Sequence, residues 1–165
     1  MLLHTCDVGE SCLAVWLFSS KDIDSIRRGF ERLVWGFWDR DAGEKQRRNW
    51  RNFIRLFNRI QPFDIAIFQI AKTGDIHGLG GVRRTYYDDQ TPIWDDELKQ
   101  HKVLFPWKVK LSFMIFSEEP VTSRFISIQD YVDGYGIGSF PRHEVRSILS
   151  ALANSSYIMY KVDLD

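Results

Sequence analysis

F-S-S-K-D-I-D-S-I-R-R-G-F-E-R-L-V-W-G-F, residues 18–37, holds the end of one strand, a whole helix and the start of a second strand. Just upstream, L-A-V-W-L-F at residues 13–18 is a short apolar run of the kind a buried strand needs, and Ser19-Ser20 stops it. Ser20 or Asp22 can cap the helix that follows, because a short side-chain oxygen accepts one of the N–H groups left unpaired in a first turn. Ile23, Ile26, Phe30 and Leu33 then recur at helical spacing with Arg27, Arg28, Glu31 and Arg32 opposite them. Residues 34–38 read as a strand or loop, and 39–43 as a polar turn.

The same reading carries outward. Trp50, Phe53, Ile54 and Phe57 stand at i, i+3, i+4 and i+7, which predicts an amphipathic helix over residues 44–60, stopped by Gln61-Pro62. Its other face bears Arg47, Arg48, Arg51, Arg55 and Arg59. Residues 64–71 and 76–82 form two apolar runs around the turn Lys72-Thr73-Gly74-Asp75, a hairpin whose Gly78, Gly80 and Gly81 imply a bulge or close backbone approach. Alternation in residues 103–116 predicts a half-buried strand, residues 125–128 add another, and Val145, Ile148, Leu149 and Leu152 set a helix over 141–153. Strands interleaved with helices in 165 residues describe one α+β domain, spanning 1–165 with its core at about 13–153.

Net charge is zero, with 22 basic and 22 acidic residues, so attraction for a polyanion must come from placement. The placement is uneven: residues 45–59 hold six cations and no acid. Cys6 and Cys12 are too few for a disulfide framework or a four-cysteine zinc site, and no apolar run reaches the roughly 18 residues of a membrane span. The expectation is a cytoplasmic protein with no membrane partner. Nucleophile elbows, phosphate loops and metalloprotease motifs are missing, and His4, His77, His101 and His143 stand in unlike contexts. Asp95-Asp96-Glu97 reads as a solvated turn rather than a metal site. Nothing calls for a metal, a cofactor or catalysis.

Aromatic side chains are the remaining signal. Three tryptophan-bearing segments, L-V-W-G-F-W at 33–38, P-I-W-D-D at 92–96 and F-P-W-K at 105–108, could supply walls around a flat ring, and stacking on a base is worth about 1–3 kcal/mol. With six Trp and twelve Phe, most must nevertheless be core.

The stretch at 18–37 resembles the opening of YTH domains, in which a strand ends in a polar serine motif, a helix follows, and V-W begins a methyladenine cage. The likeness continues through the basic helix, the glycine-bearing hairpin, Ile93-Trp94 and the strand at 109–116, covering nearly the whole chain. It implies a small open β-barrel or curved mixed sheet flanked by helices. Residue by residue, it places Trp35 and Trp94 as two cage walls and the third at Leu104, Phe105 or Trp107, with Phe105 preferred. Gly36 matches the residue whose carbonyl accepts the methylamino N–H. Ser19 and Ser20 lie in the motif that meets the base edge. The position of the ring-contacting Asn or Asp falls on Ser25, with Asp24 beside it. Arg47, Arg48, Arg51 and Arg55 become candidate phosphate contacts, because the family's usual basic residue before the last helix falls among Asp133-Gly134-Tyr135-Gly136.

The implied function is a non-enzymatic reader of N6-methyladenine, in single-stranded RNA or in DNA with the base flipped out. I-W-D-D and V-L-F-P-W-K-V are also similar to EVE domains, whose alternative ligand is a modified cytosine in DNA. A further alternative is the recognition module of a McrB-type restriction system, with an associated GTPase or nuclease. An enzyme acting on a modified base lacks a general base beside the cage, and a protein-interaction domain is the blandest alternative.

Overall fold

A computed structural model describes residues 13–122 and 125–165; Cys6, Cys12 and His4 lie outside them. The chain runs β1 (Val15–Ser20), α1 (Ile23–Arg32), β2 (Val34–Phe37), α2 (Glu44–Phe57), β3 (Ile65–Ile70), β4 (Ile76–Tyr87), α3 (Asp95–Gln100), β5 (Trp107–Ser117), β6 (Gln129–Val132), β7 (Ile137–Ser139), α4 (Val145–Ala153) and β8 (Ile158–Val162). Asp22, not Ser20, caps α1: its carboxylate accepts the Ser25 N–H at 2.9 Å. At the other end Leu33 closes the helix in the left-handed region, φ 52°, and turns the chain directly into β2.

The strands form one sheet in the order β2-β5-β4-β3-β1-β7-β6, with β8 also paired to β5. Among the described residues only β1 and β3 pair in parallel. β5 is long enough to serve two strands on one side, taking β2 along residues 107–110 and β8 along 113–117. β1 and β2 stand four places apart, which in a flat sheet would separate them by roughly 19 Å. Yet Phe18 of β1 meets Phe37 of β2 edge to face with ring centroids 5.2 Å apart. The sheet is therefore curled into an open half-barrel, and the apolar faces of α1 and α2 cover its ends. This is the α+β, curved-sheet fold expected.

The inside of the curl is aromatic, holding Trp16, Phe18, Trp35, Phe37, Phe53 and Phe68, each at most 3% exposed. A second core lies across the sheet, where α4 sets Ile148 and Leu152 against Leu17, Ile67 and Leu79. Buried Asp64 ties the start of β1 to the start of β3, accepting the Trp16 indole N–H at 2.9 Å and the Ala14 and Gln61 N–H groups.

Several elements differ from expectation. Residues 125–128 are not a strand; pairing begins at Gln129, where β6 and β7 make a small hairpin. β8 extends the sheet past residue 153. Asp95-Asp96-Glu97 is no solvated turn but the first turn of α3, with Glu97 fully buried. The bulging foreseen at the hairpin glycines is present, with one irregularity between Ile76 and Gly78 against β3 and two more between Gly81 and Arg84 against β5. No helix among the described residues is long and apolar enough to cross a membrane.

Candidate functional site

Where the curl fails to close, a cleft of about 190 Å³ opens between the end of β1, the start of α1 and strand β2. It is smaller than the 300–1,000 Å³ of drug-sized pockets, a scale suited to one flat heterocycle. Ser19, Ser20 and Ser25 line it on one side, Trp35, Gly36, Phe37 and Trp38 form its floor, and Trp94 and Phe105 reach over from the segment 92–106. The rings are mutually braced. Trp94 stands edge to face with Trp35 at 5.2 Å and with Phe105 at 4.8 Å, and Phe105 lies 4.1 Å from Trp38. The Trp94 indole N–H donates to the Ser25 carbonyl at 2.9 Å, which fastens this wall to α1.

Two glycines make the approach possible. A Cβ on Gly29 of α1 would stand 2.9 Å from the Trp35 ring, so this glycine lets the indole approach the helix closely. A Cβ on Gly36 would stand 2.8 Å from the Phe105 carbonyl oxygen and 2.9 Å from Ile93. The backbone of Gly36 is also exposed to the cleft. The Leu111 N–H donates to the Leu33 carbonyl, and antiparallel pairs alternate, so Trp35 and Phe37 share the ladder bonds with β5. Gly36 then turns its own N–H and carbonyl away from β5, toward the open edge.

Trp35, Trp94, Phe105, Ser19, Ser20, Ser25 and Gly36 are thus brought together. Asp24 does not line this cleft: its exposed carboxylate pairs with Arg27 at 2.5 Å in an adjoining groove that shares Lys21, Ser25, Trp94 and Asp96 with it. Trp35 also differs from the picture of a solvent-facing wall. It is 3% exposed and packs on Phe18 and Phe68, so the floor of the cleft is a piece of the core.

Five lining residues were not anticipated: Lys21, Phe37, Trp38, Asp96 and Tyr135. Lys21 and Asp96 pair across the mouth at 3.5 Å. Tyr135 reaches the cleft from the β6–β7 turn, stacks on Phe53 of α2 at 4.1 Å and donates to the Gln46 carbonyl. Burial pushes its phenol up to about 12, so it stays a neutral donor at physiological pH. Trp38 was visible in the sequence, but strand alternation would turn it away from Trp35; β2 ends one residue earlier and frees it.

The same turn seats α2 beside the cleft, through Gln46 to the Gly134 carbonyl at 3.0 Å and Lys45 to Asp133 at 3.4 Å. Arg47, Arg48, Arg51 and Arg55 are exposed and lie outside the cleft, on the outer face of this helix. The helix is not free of acid, since Glu44 in its first turn pairs with Arg48 at 3.4 Å. Arg47, Arg51 and Arg55 have no acid within ion-pair distance among the described residues.

Beneath the far side of the segment 92–106, Lys108 is 1% exposed and bonds the Thr91 carbonyl and the Asp88 carboxylate, the latter at 3.3 Å. Burial alone would raise the Asp88 carboxyl, but hydrogen bonds from Gln90, Thr91 and Lys108 outweigh it and hold the group down at about 2.

No family model matches this chain. It is 58% identical over 139 residues to an uncharacterized protein of Methanocaldococcus jannaschii, a match covering 84% of this chain and 90% of that protein. The chain belongs to that archaeal family. Among solved structures, this member of the family is similar to the YTH domain of Toxoplasma CPSF4, both without ligand and in complex with an m6A-modified RNA. The ligand-free form gives a TM-score of 0.55 at 12% identity, covering 91% of this chain and 92% of the other. For the complex the TM-score is 0.51 at 13% identity, covering 87% and 93%. The YTH domain of Zygosaccharomyces rouxii MRB1, in complex with N6-methyladenosine RNA, gives 0.52 at 11%, covering 92% and 91%. The archaeal family member has the YTH fold.

Proposed function

We propose that this domain is a non-catalytic reader of N6-methyladenine, in single-stranded RNA or in DNA with the base turned out of the stack. The observation that carries this reading is an aromatic cleft, sized for one base, that the backbone of Gly36 lines together with the rings of Trp35, Trp94 and Phe105. The solved YTH domains in complex with methylated RNA share the fold that builds it. The cleft's titratable side chains are Lys21 and Asp96, which pair with each other, and a neutral Tyr135, a set suited to holding a ligand rather than activating one.

The selectivity follows from hydrogen-bond inventory. A methylated exocyclic amine has one N–H, which the Gly36 carbonyl can accept, and its methyl faces the rings. An unmethylated amine brings a second N–H into an apolar wall, which costs about 1–3 kcal/mol when unsatisfied, and lacks a methyl worth about 0.8 kcal/mol. The sum corresponds to roughly 20- to 500-fold preference. Titration of the protein with four matched oligonucleotides, RNA and DNA, each with and without the methyl group, tests the reading. A clear methyl preference in either backbone is expected. Equal affinity for all four, or tighter binding of a methylcytosine oligonucleotide, would defeat the adenine assignment.

A further inference from the structure

The segment 92–106 carries two cleft walls, Trp94 near one end and Phe105 near the other, yet every residue of 95–102 except Glu97 is exposed. Glu97 is fully buried. One of its carboxylate oxygens accepts the Ile93 and Trp94 N–H groups at 2.9 and 3.1 Å, and the other accepts those of Leu104 and Phe105 at 2.9 and 3.3 Å. Among the described residues no cation stands within ion-pair distance of it, so four peptide donors balance the charge. Hydrogen bonds to a charged acceptor are about twice as strong as neutral ones, and removing the acceptor leaves buried N–H groups unpaired.

We infer that Glu97 is the positioning residue of the cleft. One oxygen holds the Trp94 end of the segment and the other holds the Phe105 end, so a single side chain fixes the separation of two walls without touching a bound base. That a base is the ligand rests on the function proposed above. A stacking site must be held to within about 0.5 Å to discriminate, and beside the ring contacts and the Trp94–Ser25 hydrogen bond, Glu97 is the side chain that holds the backbone at both ends of the segment. The cost of burying the carboxylate is then intelligible as the cost of a fixed slot width.

The geometry distinguishes close substitutes. In Glu97→Gln one oxygen remains, and the amide NH2 confronts two N–H donors, so one end of the segment is released. In Glu97→Asp the charge remains, but an arm one methylene shorter cannot span both donor pairs.

The test measures amide hydrogen exchange and oligonucleotide binding on the wild type and both variants of the full chain. In Glu97→Gln, exchange at one of the two amide pairs, Ile93 with Trp94 or Leu104 with Phe105, should quicken at least about tenfold while β1, β3 and β5 keep their rates. The ratio of affinities for methylated and unmethylated oligonucleotides should fall toward unity, with the salt dependence of both unchanged. Amides that stay protected would overturn the anchor, and freed amides with an unchanged affinity ratio would overturn the positioning role. If Glu97→Gln does not fold, Glu97→Asp carries the same two measurements. A wild type with no methyl preference would defeat the base reading instead, and the amide rates alone would then decide whether Glu97 anchors both walls.

Discussion

Replacing Trp94 by alanine removes one wall of the cleft and shows whether that wall belongs to a ligand or to the core. The indole makes two edge-to-face pairs, with Trp35 and Phe105, and one hydrogen bond, to the Ser25 carbonyl. At about 0.5–1.5 kcal/mol for each of these three interactions, the loss is roughly 3 kcal/mol. A domain of this size loses about 2–4 °C of melting temperature per kcal/mol, so the variant should melt roughly 6–12 °C lower and still be folded at room temperature. Stacking on a base adds a separate loss of about 1–3 kcal/mol, or roughly 5- to 150-fold in affinity for the methylated oligonucleotide. Trp35→Ala should behave differently. Its ring is buried against Phe18 and Phe68, and deletion of a core aromatic costs about 3–5 kcal/mol, so stability should fall further. Circular dichroism melts give the first quantity and fluorescence anisotropy titrations the second. A Trp94→Ala protein that melts lower but binds methylated oligonucleotide as tightly as the wild type would refute the assignment of Trp94 as a ligand wall.

Replacing Arg47 and Arg51 with glutamine should weaken methylated and unmethylated ligands by similar factors and flatten the slope of log K against log salt by roughly one per lost phosphate contact; an unchanged slope would place the ligand elsewhere. Gly36→Ala should cost about 1–3 kcal/mol in denaturant titrations, because its methyl meets the Phe105 backbone, and should widen the cleft enough to reduce methyl preference. Ser25→Asn should tighten methyladenine binding by up to about tenfold in the same anisotropy assay, whereas Asp24→Ala, whose partner is Arg27, should leave affinity unchanged. The Asp88 carboxyl lies near 2 in the folded protein, below its value of about 3.9 when unfolded. Its stabilisation is therefore complete above that unfolded value and lost as pH falls through 2; Asp88→Asn should flatten the decline in stability between pH 4 and 2.

The elements visible in the sequence are those whose pattern is local. The α1 and α2 stripes, the β3–β4 hairpin and the alternation of β5 each satisfy one periodicity over enough residues to be read. The short strands β6 and β7 owe their existence to partners, since β7 pairs with β1 across more than a hundred residues of chain. β8 has five exposed residues and no buried face to give it a period; only the free edge of β5 orders it. In the cleft, the tryptophans and Gly36 were legible because ring and glycine types are few and distinctive. Tyr135, Lys21 and Asp96 enter it only once the sheet has curled. Glu97 was misread for the same reason: a carboxylate in a run of three acids looks solvated until the backbone donors from residues 93, 94, 104 and 105 converge on it.

Because the ring of Trp35 is shared by the core and the cleft, evolution cannot alter the floor of the site without retuning the whole domain. The rim is under no such double constraint. Lys21, Ser25 and Asp96 reach the cleft from more exposed positions, and exchanging any of them changes what an incoming ring meets at its edge while the barrel beneath stays intact. On the proposed reading, a lineage carrying this architecture can therefore trade one modified base for another by drift at a few peripheral positions, with its melting temperature as bystander.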